Sequence, residues 1–300
     1  MTDPRPQATT APAQPRPRGR PILGRWLLRI SLLPPLVGYV FLMAFMTLSQ
    51  DRLLYLPDLS PPSADNLQRP GRPALAPWPT EPGAALRGYV SASAANPAQR
   101  GTLLVFHGNA GSARDRTIYL SAFEPRGVRV ILMEYPGYGG RDGRPSQEVL
   151  VADGLESLQV ARAAYGDPIW LLGESLGAAV AAQVASVAKP RVAGVVLITP
   201  WNNLPDLAQS LYWYLPARWL VRDRYDSRAA LQSFVGPKAV LIAGSDQIVP
   251  PAHSQTLYEA LPAPKRLWLF PQAGHNDWLA HIDATWWEQV LDWLEDPSRS

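Results

Sequence analysis

The motif at residues 173–177 has the residue types most typical of catalysis in this sequence, Gly173-Glu174-Ser175-Leu176-Gly177. An apolar run at 169–172 precedes it, and an Ala-rich segment typical of a helix follows it. Between a strand and a helix, the G-x-S-x-G pattern makes a turn too tight for flanking side chains and exposes the serine Oγ. The helix start adds partial positive charge beside a developing oxyanion. The motif therefore predicts that Ser175 is a nucleophile.

A serine hydroxyl needs a neighbouring base to accept its proton, and the candidates are His107, His253, His275 and His281. His275 comes just after the last predicted strand, 267–270. Ligand sites of open α/β sheets lie at the carboxyl ends of the strands, so we expect His275 to be the general base. His253 and His281 lack this position and are expected to make structural hydrogen bonds.

An acid should orient the imidazole and stabilise its charged form, and Asp246 follows the predicted strand 239–243. The order Ser175, Asp246, His275, with separations of 71 and 29 residues, is the nucleophile–acid–base order of α/β-hydrolases. Asp277 and Asp223 are the rival acids. Asp277 is too near His275 in sequence to reach the far ring nitrogen easily. Asp223 lies in an Arg-rich segment, where we expect it to form an ion pair.

The negative charge that develops on the substrate oxygen needs hydrogen-bond donors. The loop 107–111, His-Gly-Asn-Ala-Gly, follows the predicted strand 102–106, and its glycines let backbone N–H groups turn into the site. We expect the amides of Asn109 and Leu176 to form the oxyanion hole, with His107 holding the loop. Acyl transfer of this kind needs neither a metal nor an organic cofactor.

Six apolar segments with β-branched residues are predicted to be strands, and four longer segments are predicted to be helices. The strands are 102–106, 128–134, 169–172, 192–198, 239–243 and 267–270, and the helices are 147–165, 176–188, 253–261 and 284–294. Strands this apolar on both faces fit a mostly parallel sheet with helices on both faces. The predicted class is therefore α/β, with the α/β-hydrolase fold and a small cap region at 201–235, where Trp, Tyr and Arg cluster without a strand.

An uncharged apolar stretch at residues 30–48 would span about 28 Å as a helix, close to the hydrocarbon thickness of a bilayer. Arg25 and Arg29 precede it, while Asp51 and Arg52 cancel each other after it. The positive-inside rule then leaves the N-terminus in the cytoplasm and the catalytic domain outside it, in the periplasm of a bacterium. We expect an uncleaved transmembrane signal anchor over 23–49, with a cleaved secretory signal as the alternative.

The composition sets further limits on the chain. Residues 1–29 carry six Arg and one Asp, whereas the other 271 residues carry 22 basic and 24 acidic groups, so the folded part has no basic face for nucleic acid. The absence of cysteine excludes a disulfide scaffold, thiol catalysis and Cys-ligated metals. We predict a disordered basic tail at 1–22, a Pro-rich linker and edge segment at 50–85, and the catalytic domain at 86–298.

Taken together, these motifs make the chain similar to the membrane-anchored α/β-hydrolases of the BEM46 type, close to the serine aminopeptidase-like (S33) group. The matching segments are LLYLP at 53–57, HGNAG at 107–111, EYPGYG at 134–139, GESLG at 173–177, LPARWL at 215–220, RDRYDS at 222–227, DQIVP at 246–250 and GHND at 274–277. The resemblance covers about residues 50–295. It implies the fold, the Ser-Asp-His triad and a lipase, esterase or thioesterase-like hydrolase.

Two positions depart from the pattern of this family. Ala178 stands where a second glycine is frequent, and Trp201 stands where phenylalanine is expected. A tryptophan at this position would narrow the acyl side of the pocket.

The leading hypothesis is a serine hydrolase that cleaves carboxylic esters of lipid, acyl or thioester type through an acyl-enzyme. Its substrate would be a small-molecule or lipid ester at the membrane surface. A serine aminopeptidase or other amidase is the alternative, because the same fold hosts peptidases; an acidic pocket made by Glu134 or Glu174 would favour it. A catalytically inactive binding protein on the same fold is the further alternative, which a broken triad would favour.

Overall fold

The computed structural model describes residues 22–57, 73–92 and 100–299, and the side chains of 33–298 within those ranges. These residues fall into two units that divide after Met46. Residues 1–21 of the predicted tail (1–22) lie outside the described residues, as do 58–72 of the predicted linker and 93–99 of the predicted catalytic domain. Ile22, the last residue of the predicted tail, is helical.

The chain begins its described part with helix α1 (Ile22–Leu54). By length and composition, one helix in the described residues can cross a membrane, and it is the stretch Leu33–Leu54 of α1. Its apolar side chains face outward, with Phe41 72% exposed. The helix continues past the predicted end of the anchor at position 49, so the first residues of the predicted linker are helical.

Among the described residues, eight strands form one sheet, and two short strands form a separate parallel pair. The strands are β1 (Leu56–Pro57), β2 (Leu75–Trp78), β3 (Gly88–Ser91), β4 (Gly101–Phe106), β5 (Ala110–Gly111), β6 (Val128–Met133), β7 (Ile169–Glu174), β8 (Gly194–Ile198), β9 (Lys238–Ala243) and β10 (Lys265–Phe270). The large sheet has the order β10-β9-β8-β7-β4-β6-β3-β2, and β1 pairs with β5. It is parallel from β10 to β6 and antiparallel where β3 joins β6 and β2 joins β3. The six predicted strands correspond to β4 and β6–β10.

Helices cover both faces of this sheet. They are α2 (Ile118–Phe123), α3 (Gln147–Tyr165), α4 (Leu176–Ala188), α5 (Leu204–Leu211), α6 (Ala217–Leu220), α7 (Ser227–Leu231), α8 (Pro251–Ala260) and α9 (Ala284–Glu295). Side chains alternate between the faces along β4: Leu104 and Phe106 join the core that contains α3 and α4, whereas Leu103 and Val105 join the core that contains α2 and α9. This alternation is why the central strands are apolar at every position. The predicted fold class is confirmed.

Two features of the sheet edge lie in the region predicted to be a linker. Strand β2 contains Pro77 and, in the part of the chain that the structure describes, pairs with β3 alone, at the edge of the sheet, where a missing backbone N–H is tolerated. The short pair of β1 with β5 brings Leu56 beside Ala110, next to the predicted oxyanion loop. The predicted cap region, 201–235, contains the short helices α5, α6 and α7 and no strand.

Candidate active site

Ser175 lies on a sharp turn between β7 and α4. Its backbone has φ +52° and ψ −113°, a region that residues with a side chain seldom adopt. The turn is fixed because the Ser175 N–H donates to the Ile198 carbonyl at 2.9 Å. A Cβ atom on Gly173 would lie 2.1 Å from the Gly177 oxygen, and one on Gly177 would lie 2.0 Å from the Phe106 oxygen. Both glycines are therefore required for this turn to pack.

Asp246 and His275 contact each other at the ends of adjacent strands. His275 Nδ1 lies 2.6 Å from Asp246 Oδ2, and both side chains are nearly buried. The second carboxylate oxygen, Oδ1, accepts hydrogen bonds from the amides of Ile248 and Val249, each at 2.8 Å. Asp246 is therefore fixed by the loop after β9 and directs one oxygen at the imidazole.

Backbone hydrogen bonds join the loops that carry these two residues. The Gly244 N–H donates to the Phe270 carbonyl, and the Ser245 N–H donates to the Ala273 carbonyl, both at 2.8 Å. The Ser245 hydroxyl also donates to Pro271 O at 2.9 Å. These hydrogen bonds hold the loops after β9 and β10 together, and they thereby fix the distance between the Asp246 carboxylate and the His275 imidazole.

The rival acids have other partners. Asp277 Oδ1 accepts the Gly274 amide at 2.6 Å, which closes the turn that holds His275. Asp223 accepts the Tyr55 hydroxyl at 2.5 Å and the Gln147 amide at 3.3 Å. The expectation of an ion pair at Asp223 is wrong for the described residues: Tyr55, the residue directly after α1, takes the place of an arginine.

The three predicted catalytic residues follow β7, β9 and β10 in the chain. Because these strands are parallel, all three residues lie on the side of the sheet where the strands have their carboxyl ends. In the described part of the chain, the Ser175 hydroxyl makes no hydrogen bond to His275. Catalytic hydrogen bonds are often long in a free enzyme and shorten when substrate binds. The structure thus brings Asp246 and His275 into contact and places Ser175 at the same edge without a direct bond.

Among the described residues, the backbone amides of Asn109 and Leu176 have no hydrogen-bond acceptor. Leu176 is the first residue of α4, where helical N–H groups lack partners. Gly108, next to Asn109, is close to the serine, since an added Cβ atom would lie 3.8 Å from the Ser175 Cβ. These are the two amides predicted to form the oxyanion hole.

The loop that carries Asn109 is held by the segment after β6. Tyr138 donates its hydroxyl to the Asn109 carbonyl at 2.9 Å and accepts the Leu56 amide at 3.1 Å. Burial raises the pKa of Tyr138 above its usual range, so the hydroxyl remains protonated and able to donate. Tyr135 donates to the His107 carbonyl at 2.8 Å. Both tyrosines belong to the EYPGYG motif, the signal in the sequence to which we assigned no role.

His107 is fully buried and holds the loop, as expected. Its Nδ1 lies 2.7 Å from the Gly108 oxygen, and its Nε2 lies 3.2 Å from Glu134 Oε1. The other oxygen of Glu134 accepts the Ala113 amide at 3.2 Å. The Glu134 carboxylate is therefore used entirely in fixing this loop.

Glu174, the residue before the serine, is also engaged. It accepts the Arg116 Nε–H at 2.8 Å and the Tyr119 hydroxyl. Burial, reinforced by the charge of Glu174, raises the pKa of Tyr119 well above its ordinary value. The two carboxylates that were candidates for binding a free amine thus already have partners.

Among the described residues, the remaining histidines make no hydrogen bond or ion pair with Asp246 or His275. His253 contacts Asn202 Oδ1 at 2.8 Å and Ser210 Oγ at 2.9 Å, and burial lowers its pKa. His281 Nε2 lies 4.0 Å from Asp277. Within residues 22–57, 73–92 and 100–299, no three His, Asp or Glu side chains are grouped as metal ligands would be.

Comparisons with known proteins agree with this architecture. A family profile described as alpha/beta hydrolase fold matches residues 101–229. The uncharacterized protein Rv2307c of Mycobacterium tuberculosis is 36% identical over 261 residues, which cover 81% of this chain and 88% of that protein. Protein bem46 of Schizosaccharomyces pombe is 27% identical over 204 residues, 64% of this chain and 67% of that protein. The uncharacterized membrane protein YNL320W of Saccharomyces cerevisiae is 28% identical over 201 residues, 64% and 70% of the two chains.

Among solved structures, the Pyrococcus furiosus esterase Pf2001 superposes with a TM-score of 0.58 at 16% identity, covering 81% of this chain and 97% of that one. At this identity the likeness concerns the fold. The sheet order, the profile match and the identity with Rv2307c and bem46 agree with one another, and the chain belongs to the α/β-hydrolase family of the BEM46 type.

Proposed function

We propose that this protein is a membrane-tethered serine hydrolase that cleaves carboxylic esters through an acyl-enzyme on Ser175. The observation that carries the proposal is the strained backbone of Ser175, which persists at the end of β7 only because its surroundings fix it. Strain of this kind costs about 1–3 kcal/mol and is concentrated at functional sites. The contact between Asp246 and His275 supports the same assignment.

In this mechanism the Ser175 oxygen attacks the ester carbonyl and its proton passes to His275 Nε2. Asp246 holds the imidazole through Nδ1 and stabilises its positive charge. The amides of Asn109 and Leu176 donate to the oxyanion. His275 then returns the proton to the leaving alkoxide, and the released alcohol leaves an acyl-serine. Water, deprotonated by His275, attacks this ester, releases the acid and restores the serine.

Esters are favoured over aminoacyl amides because the proposed amine-binding carboxylates are occupied. Glu134 is bonded to His107 and the Ala113 amide, and Glu174 is bonded to Arg116 and Tyr119. Recruiting either carboxylate for a free amine would break these buried contacts, at a cost of about 1–3 kcal/mol for each group left unpaired. A neutral acyl group needs no carboxylate partner, so these contacts of Glu134 and Glu174 stay intact.

The test compares hydrolysis of neutral acyl esters and aminoacyl amides by the detergent-solubilised full chain. We expect ester turnover, reduced roughly 10⁴–10⁶-fold in each of Ser175→Ala, Asp246→Asn and His275→Asn. The triple variant should be little slower than Ser175→Ala, because the residues act as one unit. His281→Asn is the matched control, since His281 lies outside the proposed triad, and it should retain the wild-type rate.

Faster turnover of the amides would replace the ester proposal with an aminopeptidase or amidase. A folded wild-type protein that hydrolyses neither class would support a binding protein on the same fold.

A further inference from the structure

We infer that the cap region docks on the lipid surface of the membrane that holds the protein's own anchor. We call the surface concerned the aromatic patch. It consists of Leu211, Trp213, Tyr214 and Trp219, which lie within the cap region (201–235) and precede its Arg-rich segment at 222–227. Trp213 and Trp219 are each 78% exposed. The inference rests on the proposed anchor, and its test separates the two.

The exposure of this patch is unusual for a water-facing surface. Single exposed apolar residues are ordinary, whereas grouped large ones mark a binding surface. The Trp213 and Tyr214 rings pack edge to face at 5.8 Å, while Tyr214 is 48% and Leu211 42% exposed. Trp and Tyr combine an apolar ring with one polar group, and they are enriched where hydrocarbon meets headgroups. The composition therefore favours a lipid surface as the partner.

Hydrogen bonds place the Trp219 end of this patch beside the end of α1. Gln50 donates from Nε2 to the Leu220 carbonyl at 3.4 Å, and its Oε1 accepts the Arg222 amide at 2.7 Å. Arg222 also pairs with Asp51 at 3.0 Å. Trp219 is the neighbour of Leu220 in the chain. The part of the cap that carries an exposed tryptophan is thus bonded to residues two and three positions after the proposed span, 30–48.

Chain geometry then limits how far the patch can lie from the bilayer. Two residues of helix advance about 3 Å, the Gln50 side chain with its hydrogen bond to the Leu220 carbonyl adds roughly 11 Å, and adjacent Cα atoms are about 3.8 Å apart. The Trp219 Cα atom therefore lies within about 20 Å of the end of the span. The headgroup layer is roughly 5–8 Å thick on each side of the hydrocarbon. The chain itself therefore tethers Trp219 close to the headgroup layer.

Charge around the patch suits the same partner. Arg218 pairs with Asp206 and Arg222 with Asp51, and the two arginine side chains keep 51% and 57% of their surface exposed. Arg224 is also exposed. Long basic side chains place their heads among phosphates while their stems cover apolar surface. The patch therefore has apolar rings for the acyl boundary and guanidinium groups for the headgroups.

The absence of cysteine allows each position to be tested with a single spin label on the full chain. We would label Trp213→Cys and Trp219→Cys in vesicles of equimolar phosphatidylcholine and phosphatidylglycerol. Phe41→Cys, 72% exposed in the proposed span, is the lipid reference, and Val187→Cys, 65% exposed at the end of α4, is the water reference. Accessibility to oxygen, which partitions into lipid, is compared with accessibility to a water-soluble nickel chelate.

We expect the labels at 213 and 219 to show an oxygen-to-nickel ratio clearly above that at 187. Labels at 213 and 219 that match 187, while 41 reports lipid, would overturn the docking inference and leave the anchor standing. A label at 41 that matches 187 would overturn both. Spin–spin broadening between copies at 219 would assign the patch to a second chain and overturn the lipid assignment. Fluorophosphonate labelling of the same samples reports the proposed catalysis independently of the docking.

A kinetic readout completes the test. In Trp213→Ser/Trp219→Ser, hydrolysis of a long-chain ester presented in vesicles should fall roughly tenfold, while a water-soluble short-chain ester is hydrolysed at the wild-type rate. Val187→Ser should change neither rate. Equal rates for the double variant and wild type on both substrates would contradict the inference.

Discussion

Ser175 combines an unfavourable backbone with a dense set of contacts that keep it in place. Its N–H is bonded to Ile198, and its carbonyl accepts the amides of Ala178 and Ala179 at 3.0 and 3.4 Å. The flanking glycines leave no space for any other residue. The exposed hydroxyl is thus a consequence of packing between β4, β7 and α4 rather than of the serine alone.

Gly177→Ala is expected to disrupt this packing. The new methyl group would lie 2.0 Å from the Phe106 carbonyl oxygen, and backbone on both sides must move. We expect the free energy of unfolding to fall by about 3 kcal/mol and ester turnover to be lost, measured by denaturant titration and initial rates.

Gly108→Ala is the control for this prediction, because its added methyl group would meet the nearest atoms at 3.8 Å, an ordinary contact. Equal stability of the two variants would contradict the account of the turn.

The proposed triad was accessible from sequence because each member follows an apolar strand. The prediction of Ser175, Asp246 and His275 required only the positions of the strands and the rule that ligand sites lie at the carboxyl ends of the strands. The partners of Glu174 were not accessible, because Arg116 and Tyr119 come from another part of the chain and only the folded sheet brings them together. For the same reason Asp223 was assigned an arginine partner instead of Tyr55.

At the scale of elements, the strands and helices near the site were predicted closely, and α3 and α4 have the predicted bounds. Their apolar patterns are set locally. Strand β2 was not predicted because Pro77 is typical of a linker, and only its pairing with β3 makes it a strand. The pair of β1 and β5 is two residues long and depends on contacts far apart in sequence. The residue pattern of β1 does not predict a strand, and neither does that of β5.

The loop 107–111 is positioned by the segment after β6, and Tyr138→Phe tests that role. The change removes the hydroxyl that joins Asn109 and Leu56, so the proposed oxyanion amide should be held less well. We expect kcat to fall about tenfold, less than the roughly 10²–10³-fold for losing a donor, with KM little changed. Stability should fall by about 1 kcal/mol.

The control is Tyr212→Phe, because the Tyr212 hydroxyl has no hydrogen-bond partner in the described ranges. An unchanged kcat in Tyr138→Phe, together with the expected loss of stability, would restrict Tyr138 to a structural role.

At the scale of the whole molecule, the proposed anchor places the hydrolase domain on one side of a membrane. Arg25 and Arg29 precede the apolar stretch, so we expect the C-terminus outside the cytoplasm. Alkaline phosphatase is active only outside the cytoplasm, so a fusion of this enzyme after Ser300 should be active. A fusion of green fluorescent protein at the same position should be exported by the same route and should not fluoresce.

The matched variant for this topology is Arg25→Glu/Arg29→Glu, which removes the two arginines nearest the span, reduces the charge bias and should lower the phosphatase activity. A bright fluorescent fusion with an inactive phosphatase fusion would contradict the proposed orientation.

The central claim is that Ser175 is an activated nucleophile, and covalent labelling by a fluorophosphonate tests it most directly. The detergent-solubilised wild type and Ser175→Ala would be treated in parallel, and the modified peptide would be identified by mass spectrometry. We predict one adduct, on Ser175, that is absent from the variant. A folded wild type that stays unlabelled, or an adduct on another residue, would contradict the claim.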